Sequence, residues 1–366
     1  MNNKNCVIRF IVQLFLFLLS GFISVCAETL EPANYRMEHV AGVWQGGYLD
    51  GPAKGALFHG TNIAKDKEGN IYVMDGTRIR IISNGRVWTL AGNGIRGFKE
   101  GRADGAMFNI GGRGYNYCNI GIDSRNNIYI PDGYNSRIRK IFKKNDGTWW
   151  VETYAGGGME ILKPGSTGRA KKIAISNPVS LAVDSFDNVW TEGFSCIYKI
   201  SPSGEIVCYK NTAGNVVNMQ ADKIGNVYLL VRENWSSHYW KVTQDGMIER
   251  IAGLTEKEVN QIRKEKIPLP VDGPALAATF HSHSTLAVTS DGKIIYGGNG
   301  DEYVLRRIKD GKSMTLFKEG WKEEKKDRRN GWFIGGPILT DDEKTIYLLG
   351  NNPPEFLRFR RIAAEE

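Results

Sequence analysis

Cysteine is scarce in this chain, and several familiar functional motifs are missing from it. Five cysteines occur among 366 residues. None are spaced as Cys-x-x-Cys, which excludes a zinc ribbon and a thioredoxin-type site. Gly-x-Ser-x-Gly, His-Glu-x-x-His and a phosphate-binding loop are also missing. Only one long apolar run exists, so a polytopic membrane protein is excluded. No activity can therefore be assigned from a motif alone.

The apolar run lies at the N-terminus and is typical of a secretory signal peptide. Lys4 and Arg9 give it a positive start, residues 10–25 are mostly apolar, and the small residue Ala27 offers a cleavage site. We therefore expect residues 1–27 to be removed on export, leaving a secreted or periplasmic chain with no membrane span. A retained membrane anchor is one alternative. Lipoprotein anchoring at Cys26 is another, which the valine directly before it disfavours.

The charge is only modestly basic. Lysine and arginine number 48 against 40 acidic residues, a formal net charge of +8. The basic residues are scattered except in Lys322–Arg329 and Arg358–Arg361, and solvated loops explain both runs. Nucleic-acid binding needs a concentrated basic face, so no nucleic-acid partner is expected. An anionic polysaccharide is compatible with this charge.

A hairpin phrase recurs six times along the remaining chain. The phrase has an apolar strand, a polar turn and a strand of the form Asn-Ile-Tyr or a close variant, a pattern that suits a tight β-hairpin; the last two copies are weaker and lack the Asn. The copies are Asp66–Tyr72, Asp123–Tyr129, Asp184–Trp190, Asp222–Tyr228, Ser290–Tyr296 and Asp341–Tyr347. Two further strands follow most copies, as in Arg78–Ile82 and Trp88–Gly92. Four antiparallel strands repeated six times predict an all-β fold, a six-bladed β-propeller.

The two ends of the chain predict how this propeller closes. The sixth copy has three strands, and the N-terminal segment Met37–Gly42 ends in the same Ala-Gly as the fourth strands. We expect that segment to complete the last blade, because a closed ring exposes no long sheet edge. Residues 28–366 are then one domain.

The phrases between the hairpins resemble the NHL-repeat propellers. The resemblance lies in Ala-Gly, Asp-Gly and Ala-x-Phe, and in the strand Asn135–Ile141; the clearest copy is Leu90–Ile141. Gluconolactonase-like and amidating-lyase-like propellers are more distantly similar. The resemblance implies a propeller fold, but such propellers include binding modules and enzymes alike. The calcium-binding residues of the lactonases have no residue-by-residue match here.

Three histidines form a candidate metal site. His59 and His281 each follow Ala-x-Phe at the start of a first strand, and His283 shares a strand face with His281. Three imidazoles can bind Zn²⁺ or a similar divalent ion and leave one position for water. Calcium is the other metal that the resemblance suggests. The alternative is that these histidines are polar channel residues that bind water or backbone groups.

Other polar residues are expected at the same mouth of the channel. Asp132 and Glu192 are candidate general bases, or they cap their own turns. Arg113 lies in a glycine-rich insertion and is a candidate anchor for a carboxylate or sulfate, although a plain surface loop is equally consistent. The full set of candidate ligand-binding residues is Arg113, Tyr115, Asn177, Trp235, Asn299 and Asp301.

Two cysteines that remain after signal removal lie in a hairpin pattern. A loop centred near Pro202 would place Cys196 opposite Cys208, and export makes a disulfide plausible there. Two buried thiols are the alternative.

These observations leave two functions. The first is a binding or scaffold propeller for a glycan or protein ligand outside the cytoplasm. The second is a metal-assisted lyase or hydrolase of a lactone or uronide, with its site at the mouth of the central channel.

Overall fold

The structure is a computed structural model that describes the chain from Tyr35 to Arg361 with gaps. The described residues are 35–43, 47–58, 60, 62–111, 119–193, 196–211, 213–234, 236–266, 268–269, 272–280, 286–298, 304–318, 338–342, 345–349 and 356–361. All of them fall in one unit, Asn34–Glu366.

Their strands form six antiparallel sheets, which we number in chain order. Sheet 1 contains Asn62–Lys65, Ile71–Asp75, Arg78–Ser83 and Arg86–Ala91; sheet 2 contains Gly121–Ile122, Ile128–Asp132, Arg137–Lys143 and Trp149–Gly156. Sheet 3 contains Leu181–Val183, Val189–Glu192, Cys196–Ile200 and Glu205–Lys210; sheet 4 contains Val216–Ala221, Val227–Arg232, Ser237–Val242 and Ile248–Ala252. Sheet 5 contains Ala287–Val288, Ile294–Gly298, Val304–Lys309 and Lys312–Lys318; sheet 6 contains Ile338–Asp342, Thr345–Leu349, Phe356–Arg361 and Tyr35–Ala41.

Four sheets carry a short fifth strand on their outer edge. These strands come from the linker that precedes the sheet, and they are Gly51–Pro52, Gly101–Arg102, Thr167–Arg169 and Gly273–Pro274. In sheet 6, Tyr35–Ala41 pairs antiparallel with Phe356–Arg361, with Tyr35 opposite Arg361.

The first strands of the sheets are neighbours. The first strand of each sheet contacts that of the next, and the first strand of sheet 6 contacts that of sheet 1. The fold is therefore all-β, with several antiparallel sheets whose first strands share a common centre.

The acid of the hairpin phrase is a buried acceptor that fixes the turn. Asp123 accepts hydrogen bonds from the backbone N–H of Asn127 at 2.8 Å, from its Nδ2 at 2.7 Å and from the Tyr129 hydroxyl at 3.1 Å. Asp66 and Asp222 make the same three bonds in sheets 1 and 4, and in sheet 3 the Trp190 indole N–H takes the place of the tyrosine hydroxyl on Asp184. The recurrence of Asp, Asn and an aromatic residue thus has a structural cause.

Sheet 5 departs from the predicted alignment by one residue. Thr289, rather than Ser290, donates its N–H to the residue four positions on, as Asp66 does in sheet 1. Ile295 then pairs with Ala287, as Tyr72 pairs with Ala64. The residue that corresponds to Asp75 and Asp132 is consequently Gly298, and not Asn299 as the spacing from Tyr296 predicts.

The linker phrase ending in Ala-x-Phe fills the space between sheets. Ala103, Ala106 and Phe108 are at most 2% exposed and pack with residues of sheets 1 and 2. Phe58 and Phe280 occupy the corresponding positions before sheets 1 and 5 and are also buried. These side chains hold the start of each following first strand in place.

One α-helix, Glu256–Lys264, was not predicted from the sequence. It lies in the linker between sheets 4 and 5 and begins with a capping box, in which the Thr255 side chain accepts from Glu258 N–H and the Glu258 carboxylate accepts from Thr255 N–H. Among the described residues, no helix has the length and apolar character needed to cross a membrane.

Candidate functional site

The candidate site lies where the first strands begin and the loops between second and third strands end, which we call the loop mouth. Contacts in sheet 2 establish that these two segments meet, because Tyr134 N–H donates to the carbonyl of Asn109 at 3.2 Å. The linkers between sheets reach the same end, since Asn135 Nδ2 donates to Gly97 O at 2.9 Å.

Asp132, a predicted general base, is wholly buried at this mouth. Its Oδ2 receives Arg139 Nη1 at 2.8 Å and Asn135 Nδ2 at 2.9 Å, and its Oδ1 receives the Asn109 N–H at 2.7 Å. Asp132 and Arg139 are both 0% exposed. The side chain therefore bonds Asn135 within its own turn and also two other segments, and it makes no cap bond to the backbone of that turn. Its role as a base stays a prediction.

Arg139 extends this contact to the linker. Its guanidinium donates to the carbonyls of Met107 at 3.3 Å and Lys99 at 3.0 Å, and the Phe98 ring lies 4.7 Å from its Cζ. The Asp132–Arg139 pair thus ties a linker, a first strand and a loop together.

Sheet 1 repeats the arrangement. Arg80 Nη1 donates to Asp75 Oδ2 at 2.8 Å and to Leu57 O at 3.1 Å, and both side chains of the ion pair are at most 1% exposed. Here the linker adds a second carboxylate beside the arginine, because Asp50 Oδ1 lies 2.6 Å from Arg80 Nη2. The Asp50 side chain is half exposed.

Glu192, the other candidate base, is also fully buried. Its Oε1 accepts the N–H of Val179 at 2.9 Å, which fixes the start of the first strand of sheet 3. Asp132 accepts the N–H of Asn109 in the same way in sheet 2.

Asn177 is the predicted ligand-binding residue that the structure describes. It is half-buried and has a φ of 47°, a left-handed conformation in which asparagine is among the better tolerated residues. The adjacent backbone is crowded: a Cβ on Gly133 would lie 2.0 Å from Gly111 O and 2.7 Å from Pro178 O. Sheets 2 and 3 therefore meet closely at this mouth.

The remaining predicted site residues lie outside the described residues. They are His59, Arg113, Tyr115, Trp235, His281, His283, Asn299 and Asp301. Within the described part of the chain, no group of three or more His, Cys, Asp or Glu side chains is arranged to hold a metal ion. The zinc or calcium site therefore stays a prediction.

Exposed apolar side chains also occur at this end of the sheets. Tyr134, directly beyond Asp132, is 57% exposed, and Ile95, Met159 and Ile161 in the linkers are more exposed still. Tyr134 was not identified from the sequence, although its position two residues after Asp132 in a predicted mouth loop was a usable signal.

A belt of buried amides joins the first strands of sheets 1, 2 and 4, and it was not predicted from the sequence. Asn119 Nδ2 donates to Asn218 Oδ1 at 2.7 Å and to Met219 O at 2.6 Å, and Asn62 Nδ2 donates to Asn119 Oδ1 at 3.3 Å. All three asparagines are buried. Each lies four residues before the hairpin acid of its sheet, and that repeat position was visible in the sequence.

A cavity of about 440 Å³ runs along the first strands from this belt to the hairpin turns. Sheets 1 to 5 contribute its lining, which includes Asn62, Asn119, Asp123, Asp184 and Asp222. The three acids bond their own turns, so the cavity offers amide and main-chain groups more than free carboxylates.

Sheet 4 carries a buried histidine beneath its mouth loop. His238 Nδ1 accepts Trp240 Nε1 at 2.6 Å, and its Nε2 lies 3.5 Å from Glu233 Oε1. Burial lowers the pKa of His238, and the nearby Glu233 partly opposes that shift. The ring is therefore neutral at pH 7, in agreement with the acceptor role of Nδ1.

Cys196 and Cys208 form a disulfide in sheet 3, with Cα atoms 5.3 Å apart. They are diagonal rather than directly opposite, because Cys196 pairs with Lys210 and Cys208 pairs with Tyr198. The predicted centre of the hairpin near Pro202 was thus one residue early.

Comparison with known proteins identifies the fold class and no family. No family model matches the chain, and no curated protein matches its sequence. A Bacteroides thetaiotaomicron protein of unknown function has a similar solved structure, with 15% identity, a TM-score of 0.60, and coverage of 89% of this chain and 76% of that one. An auxiliary nutrient binding protein from the same organism has 11% identity, a TM-score of 0.59 and coverage of 89% and 76%.

A third similar structure is a putative phosphatase from that organism. It has 11% identity, a TM-score of 0.56, and coverage of 91% of this chain and 80% of that one. At such identities the likeness concerns the fold, and it shows that this chain is a propeller-type protein.

Proposed function

We propose that this chain is an exported six-bladed propeller that binds a glycan outside the cytoplasm at its loop mouth. Six sheets with neighbouring first strands, and an N-terminal strand that pairs with the last one, support a closed six-bladed ring. The disulfide supports export after removal of residues 1–27, because such bonds persist in oxidising compartments. One similar structure is a nutrient binding protein.

The main support for this proposal is the burial of Asp132. Its carboxylate contacts Arg139, Asn135 and the N–H of Asn109, while Tyr134, two residues further on, exposes most of its ring. Glu192 likewise bonds backbone. A rim held rigid by buried acids and presenting an exposed aromatic suits a binding surface, since sugar rings stack on aromatic faces.

Isothermal titration of the mature chain against a panel of extracellular oligosaccharides tests this function. Tyr134→Ala should weaken binding of the best oligosaccharide about three- to tenfold, the worth of an aromatic contact. Phe186→Ala is the matched control, because Phe186 is 58% exposed but lies in a hairpin turn at the other end of the sheets. Equal loss in both variants, or binding to no saccharide, would refute the glycan assignment. If the same mouth instead binds a protein ligand, a protein-binding function would replace the glycan assignment.

The second candidate is a metal-assisted lyase or hydrolase of a lactone or uronide. The equivalent positions of Phe58 and Phe280 favour it, because His59 and His281 directly follow them. In this mechanism His59, His281 and His283 would be metal ligands, Asp132 or Glu192 the base, and Arg113 the substrate anchor.

Elemental analysis of the mature chain, purified without chelator or nickel, distinguishes the two functions. Near-stoichiometric zinc or calcium that is lost on His281→Ala would favour the enzyme. A well-folded protein that contains no metal and gains none on incubation would eliminate the three-histidine site.

A further inference from the structure

Sheet 5 carries a buried arginine in the place where sheets 1 and 2 carry an ion pair. Arg80, Arg139 and Arg306 each follow an irregularity in the pairing of the third and fourth strands. Each donates Nη1 to the carbonyl of the residue before a buried phenylalanine, namely Leu57, Met107 and Thr279. The three guanidiniums therefore occupy equivalent positions.

Among the described residues of sheet 5, no acid takes the place of the one that neutralises the first two arginines. Asp75 pairs with Arg80 and Asp132 with Arg139, whereas the corresponding residue beside Arg306 is Gly298. The missing side chain removes the carboxylate and also the volume that it occupies.

Arg306 has little compensation from the described residues for its burial. It is 7% exposed, its Nη1 donates to Thr279 O at 2.8 Å, and the Phe280 ring lies 5.7 Å from its Cζ. The linker acid Asp272, which corresponds to Asp50, bonds the Thr315 hydroxyl at 2.9 Å, and no described carboxylate forms an ion pair with Arg306. A buried guanidinium without a counter-charge is costly, so an anion that enters this place is stabilised.

We propose that Arg306 receives a carboxylate of the ligand in the place that Asp75 and Asp132 fill in the other sheets. This inference rests on the proposed function and narrows it to a glycan that contains uronic acid. In sheet 2 the same place offers the carboxylate both Arg139 Nη1 and a main-chain N–H. A guanidinium at the corresponding place in sheet 5 favours a planar two-oxygen anion.

The first test measures thermal unfolding of the mature protein in sodium acetate and in sodium chloride at equal ionic strength. Acetate should raise the Tm of the wild type by about 0.6 °C when its concentration equals its Kd. Arg306→Gln should abolish the difference between the two salts. No difference in the wild type would overturn the proposal, because the guanidinium would then be already neutralised.

Two substitutions of Gly298 distinguish the effect of a negative charge beside Arg306 from the effect of side-chain volume alone. Gly298→Asp rebuilds the pair of sheets 1 and 2, so it should raise the Tm in chloride by about 2 °C and abolish the acetate effect. Gly298→Asn has the same shape without charge; it should abolish the acetate effect and give no such gain. If acetate still stabilises the Gly298→Asp protein as it does the wild type, the carboxylate binds elsewhere.

A titration with oligogalacturonate and its carboxyl-reduced counterpart completes the test. The acid form should bind at least about tenfold more tightly, and Gly298→Asp should remove that advantage. Equal binding of the two forms would refute the carboxylate site while leaving glycan binding intact. Binding of neither form, with acetate also inert, would refute this inference, whereas the glycan assignment falls only if no saccharide of the wider panel binds.

Discussion

Asp132→Asn is the substitution that best separates a structural role from a catalytic one. Asp132 and Arg139 are 2.8 Å apart and both 0% exposed, so neither charge is solvated by water. The variant leaves Arg139 with the carbonyls of Met107 and Lys99 but without its ion-pair partner. Breaking a buried pair from one side costs about 3–5 kcal/mol, and we expect the unfolding free energy to fall by that amount.

The control is Asp104→Asn, which breaks an ion pair of the same length at the surface. Arg102 and Asp104 lie 2.8 Å apart with side chains 65% and 68% exposed, so water solvates both charges and the loss of stability should be far smaller than for Asp132→Asn. Urea unfolding followed by tryptophan fluorescence gives both values. Replacing both partners, as Asp132→Leu with Arg139→Met, should recover part of the lost stability, which keeps the test informative if Asp132→Asn folds poorly. Unchanged stability in Asp132→Asn together with lost function would refute the structural role.

Three further predictions concern other parts of the fold. Replacing Cys196 and Cys208 by serine should lower the unfolding free energy by about 3 kcal/mol, because the bond closes a loop of 12 residues; equal stability of the oxidised and reduced wild type would contradict this. Tyr129→Phe should cost about 1 kcal/mol by removing its bond to Asp123, and an unchanged urea midpoint would show that this bond adds nothing. Because the pKa of His238 is lowered in the folded protein, the unfolded chain binds this proton at a higher pH than the folded chain does. The free energy of unfolding should therefore fall as pH drops below 6.5. His238→Gln should flatten that part of the pH profile, and an unaltered slope would assign it to other groups.

The repeated hairpin phrase was sufficient to predict an all-β fold with antiparallel four-stranded units. It is informative because Asp123, Asn127 and Tyr129 bond one another within seven residues, so the sequence records the contact directly. The linker phrase is equally local, since Phe108 packs where its own linker ends. The predicted alignment of the hairpin phrase was wrong by one residue in sheet 5. There Thr289 takes the place of the acid, and the sequence matches the phrase less well.

The candidate site was harder to predict because its contacts join distant segments. Asp132 was identified as a mouth residue, but its bonds to Asn109 and Arg139 depend on how the linker folds back. The belt joins Asn119 to Asn218, 99 residues apart, and only the packing of the sheets brings these side chains together. Arg306 was not singled out at all, because its position stands out only in comparison with the ion pairs of sheets 1 and 2.

The central claim is that the loop mouth binds a saccharide without transforming it, and product analysis tests it most directly. The mature protein would be incubated with the oligosaccharide that it binds, and the sugar then examined by mass spectrometry and by the ultraviolet absorbance of an unsaturated uronate. We predict that the oligosaccharide is recovered intact from a stoichiometric complex that Tyr134→Ala weakens. Shortened or unsaturated products, formed by the wild type and lost in His281→Ala, would contradict the account and establish the lyase or hydrolase instead.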